Sequence, residues 1–93
     1  IKNSEFNISI LNGSTISGVA KNLQTKMLEQ GFKITKVGVA DKNDYTATII
    51  KYSSDNWQKA NTIKEYLSIR YNNLMMLEDP KLPTDIEIVL GNQ

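Results

Sequence analysis

Two stretches of this chain repeat apolar residues at helical spacing, and each does so along one side only. Ile16, Val19, Ala20, Leu23 and Met27, with Leu28 beside them, form the first stripe, and Lys21, Asn22, Lys26 and Glu29 fall off it. Trp57, Ala60, Ile63, Leu67 and Tyr71 form the second. A one-faced helix must bury its stripe against another element. The remaining segments alternate apolar and polar residues at period two, the mark of half-buried strands. Two helices lying across the same side of one sheet satisfy both patterns.

The boundaries follow from local chemistry. Phe6, Ile8 and Ile10 share one face of a first strand, and Asn12-Gly13-Ser14-Thr15 breaks it. Ser14, Thr15 or Ser17 can cap the first helix, and Gly31 suits the position just past its end. In Phe32–Val39 the alternation slips: Phe32 and Ile34 lie on one parity, Val37 and Val39 on the other. A bulge near Thr35–Lys36, or an early end to the strand, reconciles them. Residues 40–44 read as a turn and 45–52, β-branched and aromatic, as a third strand. The short connection predicts that strands two and three form an antiparallel hairpin. Asp55 with Gln58 is a variant capping box opening a second helix over 56–70. Leu74-Met75-Met76-Leu77 is too short for a helix and suits a small edge strand. Its alternatives are a core filler, a partner groove or an edge for strand addition. Residues 78–85 contain Pro80 and Pro83 and read as loop. Ile86, Ile88 and Leu90 place the last strand's face in the core.

The fold class expected is α+β, a two-layer sandwich. A ferredoxin-like βαββαβ plait with four strands in the order 4-1-3-2 and both helices on one face fits the pattern. A rearranged mixed sheet of the same elements fits it too, because periodicity does not encode strand order. With 93 residues, 40% hydrophobic and 23% charged, the chain suffices for one modest core. Residues 1–5 read as the remnant of a linker and 6–91 as a single domain. The chain starts at Ile1 rather than Met, which reads as an excised piece with any signal or anchor upstream.

The chemistry available is limited. There is no His and no Cys. That excludes a Ser–His triad, a Cys nucleophile, a disulfide and a Cys/His zinc site. Eleven basic against ten acidic residues give a net charge of +1, too little to advertise a nucleic-acid partner. Gly13 and Gly18 have the spacing of a phosphate-binding loop, but Val19-Ala20 replace the Lys-Ser/Thr that must follow. A softer role survives: Asn12, Gly13, Ser14, Thr15, Ser17 and Gly18, with Lys21, surround a helix start, where backbone N–H groups attract anions. The competing reading is a tight strand–helix turn with no ligand. Asp41, Asp44, Glu78 and Asp79 read as exposed turn acids rather than a calcium loop or a catalytic pair. Among the aromatics, Trp57 opens a helix where its edge can stack on a sugar ring. Core or rim packing is the plainer role for Trp57 itself and for Tyr45, Tyr52, Tyr66 and Tyr71.

Taken in order, Ile8-Ser9-Ile10-Leu11-Asn12-Gly13-Ser14, Gly18-Val19-Ala20, Leu28 and Gly31-Phe32 resemble the opening of the LytR C-terminal domain. Val39-Ala40-Asp41 with Tyr45, Thr48, Ile50 and Tyr52 is similar to that family's middle strands. Ala60 with Leu67 is similar to its second helix. Asp85-Ile86, Ile88-Val89-Leu90 and Gly91 resemble its closing strand and glycine. The resemblance spans about residues 6–91. It implies an extracytoplasmic domain of a LytR-CpsA-Psr envelope protein, tethered to the bacterial membrane only through an upstream anchor. Proteins of that type transfer glycopolymers such as wall teichoic acids to peptidoglycan, and their catalytic residues lie in another domain. Trp57 and Leu74–Leu77 lie outside the motif.

The first expectation is therefore a non-catalytic accessory module that positions a cell-wall polymer or an envelope protein, with no cofactor, metal ligand or catalytic residue. Its candidate binding residues are Asn12, Gly13, Ser14, Thr15, Ser17, Gly18, Lys21 and Trp57. A second expectation is a regulatory small-molecule-binding plait that dimerises edge to edge. A transcriptional role is suggested only by the family's inherited label, since the chain has neither a helix-turn-helix nor a basic groove. An enzyme is the reading with least support.

Overall fold

The computed structural model describes residues 7–92. Ile8 and Ile10 on β1 (Ile8–Asn12) are fully buried on one face, with Ser9 and Leu11 on the other, as period-two spacing dictates. The chain continues through α1 (Val19–Glu29), β2 (Ile34–Val39), β3 (Thr48–Tyr52), α2 (Trp57–Leu67), β4 (Leu74–Glu78) and β5 (Ile86–Leu90). Phe6 and the expected linker at 1–5 lie outside the described residues.

The fold is α+β, with a five-stranded mixed sheet in the order β2-β1-β5-β3-β4. β1 pairs in parallel with both β2 and β5; β3 pairs in parallel with β4 and antiparallel with β5. The chain thus folds as two parallel strand–helix–strand units, β1-α1-β2 and β3-α2-β4, running in opposite directions on either side of β5. Both helices serve one core: Ala20, Leu23 and Met27 of α1 and Ala60, Ile63 and Leu67 of α2 pack with Ile8, Ile10, Ile50, Ile86, Ile88 and Leu90. The Phe32 and Tyr66 rings tilt together across the two units, centroids 5.5 Å apart. The buried core side chains, Phe32 included and Tyr66 only packed against them, are 4% exposed or less and supply most of the stabilising apolar burial.

The ferredoxin-like order is corrected by this topology. Strands two and three are not a hairpin; β1 and β5 lie between them. The connection 40–47 crosses the ends of both strands and is held there by backbone bonds. Ala40 N–H donates to Asn12 carbonyl at 3.0 Å, Tyr45 N–H to Gly13 carbonyl at 3.3 Å, and Asn92 N–H to Tyr45 carbonyl at 2.7 Å. Tyr45, Thr46 and Ala47, expected in the strand, belong to this crossing. Leu74–Glu78 is a true edge strand, which supplies the fifth member.

Of the two readings of the slipped alternation, the bulge is the one formed, and the strand runs on to Val39. Ile8 pairs with Ile34 but Ser9 with Lys36, so Thr35 is skipped. That extra residue returns Val37 and Val39 to the face of Ile10 and Asn12, the helix side of the sheet. α1 ends as the sequence predicts. Gly31 takes φ 87°, its N–H meets Leu28 carbonyl, and Phe32 N–H meets Met27 carbonyl, the double bond of a glycine-terminated helix. The starts differ from expectation. Gly18, with φ 84°, caps α1 and Asn56 caps α2, neither with a side-chain bond. Ser14, Thr15 and Ser17 therefore do not cap α1, and the Asp55–Gln58 box is not formed. Ile16 stands outside the helix, 57% exposed.

Candidate functional site

The turn between β1 and α1 is built by its own side chains. Asn12 Nδ2 donates to Ile16 carbonyl at 2.8 Å. Asn12 Oδ1 accepts from Ser14 N–H at 2.9 Å and from Ser14 hydroxyl at 2.7 Å. Ser14 Oγ in turn receives Ile16 N–H at 3.3 Å. This is why Asn and Ser stand either side of Gly13: short polar side chains close the turn on itself. Gly13 fits because its α-carbon is hemmed in. A Cβ there would lie 2.5 Å from the Tyr45 ring, 2.9 Å from Leu90 carbonyl oxygen and 3.0 Å from Val89.

The far end of the chain locks the same turn. Asn92 Oδ1 accepts Thr15 N–H at 2.9 Å and Thr15 hydroxyl at 3.2 Å. Asn92 Nδ2 donates to Asn43 carbonyl at 3.0 Å. Gly91, beside it, faces Ala47 backbone so closely that a Cβ would collide with the Ala47 carbonyl. On the crossing loop, Tyr45 hydroxyl donates to Asp41 Oδ1 at 2.7 Å, and Lys42 Nζ sits 5.1 Å from the Tyr45 ring centroid. That hydrogen bond holds the Asp41 carboxyl below its ordinary pKa of 3.8 and pushes Tyr45 above its ordinary 10.0. Burial likewise raises Tyr71.

The sequence candidates divide accordingly. Asn12, Gly13 and Ser14 are structural parts of the turn, and Thr15 is tied to Asn92. Ser17, Gly18 and Lys21 remain exposed beside them. Trp57, 54% exposed, follows β3, whose end pairs with the start of β5. It therefore lies at the opposite end of the sheet, and the structure does not join it to the turn. Asn92 and Tyr45 are participants that sequence reasoning missed. Nothing but Gly91 beside it marked Asn92, and Tyr45 read as a strand residue.

Next to the turn runs a shallow groove of about 210 Å³, walled by Asn12, Gly18, Ala20 and Lys21 on one side and Val37, Gly38 and Val39 on the other. Val39 is 79% exposed. A second hollow of about 180 Å³ lies between Val19, Asn22, Leu23 and Lys26 and the Arg70–Tyr71 pair. Both fall below the roughly 300 Å³ at which pockets begin to enclose a small ligand. Among the described residues no three acidic side chains converge as a metal site, and no helix is long and apolar enough to cross a membrane.

A family model described as LytR cell envelope-related transcriptional attenuator matches residues 5–93. No curated protein matches the chain. Among solved structures, the fold is similar to the soluble domain of a conserved hypothetical secreted protein from Mycobacterium marinum, with a TM-score of 0.76 and 18% identity. The match covers 97% of this chain and 61% of that one.

Proposed function

This chain belongs to the LytR cell envelope-related transcriptional attenuator family, and from that premise we propose that it is a non-catalytic, extracytoplasmic accessory domain. In this reading it positions an anionic cell-wall glycopolymer for the envelope protein that carries it. The observation that carries the proposal is the groove beside the β1–α1 turn. Asn12 and Ser14 are spent on closing the turn and Thr15 on Asn92, so these three side chains serve as scaffold. Lys21 is left as an exposed cation facing a wall of exposed valines. A shallow open channel with one cation and one apolar wall suits a segment of an extended polymer carrying phosphodiesters and sugar rings. It gives less support to an enclosed metabolite, which the small volumes disfavour. The absence of His and Cys from the sequence supports a binding role over a catalytic one.

The test is retention on peptidoglycan sacculi carrying teichoic acid, against sacculi stripped of it. Retention should need the polymer and fall with Lys21→Ala, while Trp57→Ala leaves it unchanged. Equal retention on both kinds of sacculi, or no effect of Lys21→Ala, would contradict the reading. Asn12→Ala is a poor probe, because it opens the turn itself.

A further inference from the structure

The two edges of the sheet are unlike. β2 carries Lys33 just before it and Lys36 within it, and the bulge at Thr35 distorts its line. Charge and a bulge are how sheet edges are kept from pairing. β4, the opposite edge, is Leu74-Met75-Met76-Leu77-Glu78, regular against β3 over its whole length. Leu74–Leu77 holds no charge, no Pro and no Gly. Met75 and Leu77 point to the side of the sheet away from the helices and are 53% and 50% exposed.

The backbone of β4 fixes what can bind there. Asn73 carbonyl accepts Thr48 N–H at 2.9 Å and Asp79 N–H donates to Tyr52 carbonyl at 2.8 Å. Odd-numbered residues thus turn their backbone groups toward β3. Leu74, Met76 and Glu78 turn theirs outward, where among the described residues no strand pairs with them. We infer that this edge pairs with β4 of a second copy of the chain, antiparallel and centred on Met76, joining two sheets into one.

The strand is complementary to itself in that register. Met76 lies opposite Met76 and Leu74 opposite Glu78, so every outward N–H and carbonyl of β4 finds a partner. Met75 falls opposite Leu77, so each exposed apolar side chain covers an exposed apolar side chain of the other copy. Charge selects the same orientation. Antiparallel pairing brings the acidic end, Glu78–Asp79, beside the partner's acid-free end, which Arg70 precedes. Parallel pairing would set Glu78 against Glu78. A two-fold axis closes the contact, so it stops at a dimer.

Sedimentation of the intact chain from about 10 µM to about 1 mM should show the 10.5 kDa monomer giving way to a particle of twice that mass. Met75→Lys/Leu77→Lys should stay monomeric with unchanged circular dichroism. Hydrogen exchange on the unaltered chain supplies an independent readout should that variant fail to fold. The amides of Leu74, Met76 and Glu78 should slow as concentration rises, while those of Met75 and Leu77, already bonded to β3, should not change. A monomer at about 1 mM, or a dimer in which the outward amides stay fast, would overturn the inference.

Discussion

Thr15 N–H donates to Asn92 Oδ1 at 2.9 Å, joining positions 77 residues apart. Through this bond Asn92, just after β5, clamps the β1–α1 turn, and through its Nδ2 it also holds the crossing loop. Asn92→Ala removes both anchors. A loss of about 0.5–1.5 kcal/mol is expected, because the exposed partners released at the sheet end bond to water instead. Urea unfolding measures it, and exchange at residues 40–47 should quicken.

Gly91→Ala should cost about 1–3 kcal/mol or prevent folding, since the added carbon meets Ala47 backbone, which has no flexible end to yield. Gly18→Ala is a different case. Space is open there, so only the positive φ is penalised, at roughly 1–2 kcal/mol. Comparing the two midpoints separates steric from conformational cost.

Ile88→Ala, in the central strand and fully buried, should cost about 2–5 kcal/mol. Ile69→Ala, 84% exposed beyond α2, should change stability by less than about 0.5 kcal/mol. Equal effects would mean that the core does not lie between the sheet and the two helices.

The Asp41–Tyr45 bond implies opposite pH behaviour at its two ends. Asp41 is depressed when folded, so its contribution is present above the unfolded carboxyl value and lost as pH falls through the folded one. Tyr45 is raised, so its contribution is present below the unfolded phenol value and lost as pH rises through the folded one. The bond therefore holds across the neutral range. In carboxyl NMR titrations, Tyr45→Phe should return Asp41 toward 3.8.

Much of this was legible in the chain. The parity break between Ile34 and Val37 marked the place of a bulge or an early strand end, because a one-residue slip inverts every side chain after it. Gly31 located the end of α1, and Leu74–Leu77 was legible as an edge strand. The strand order was not legible. A short polar connection such as 40–47 is compatible with a hairpin or with a crossing over two strand ends. The bonds that decide between them come from the backbone of Ala40 and Tyr45, which any residue but proline could supply. At the site, Asn12, Gly13 and Ser14 were legible as a turn. Their partner Asn92 was not, because a lone Asn after a strand has no local pattern.

In the function proposed above, the groove beside Lys21 takes a wall polymer. Amide chemical shifts recorded while purified teichoic acid is added test it most directly. Shifts concentrated at Gly18, Lys21, Gly38 and Val39, and abolished by Lys21→Ala, are the predicted result. No shifts, or shifts gathered around Trp57 at the other end of the sheet, would contradict it.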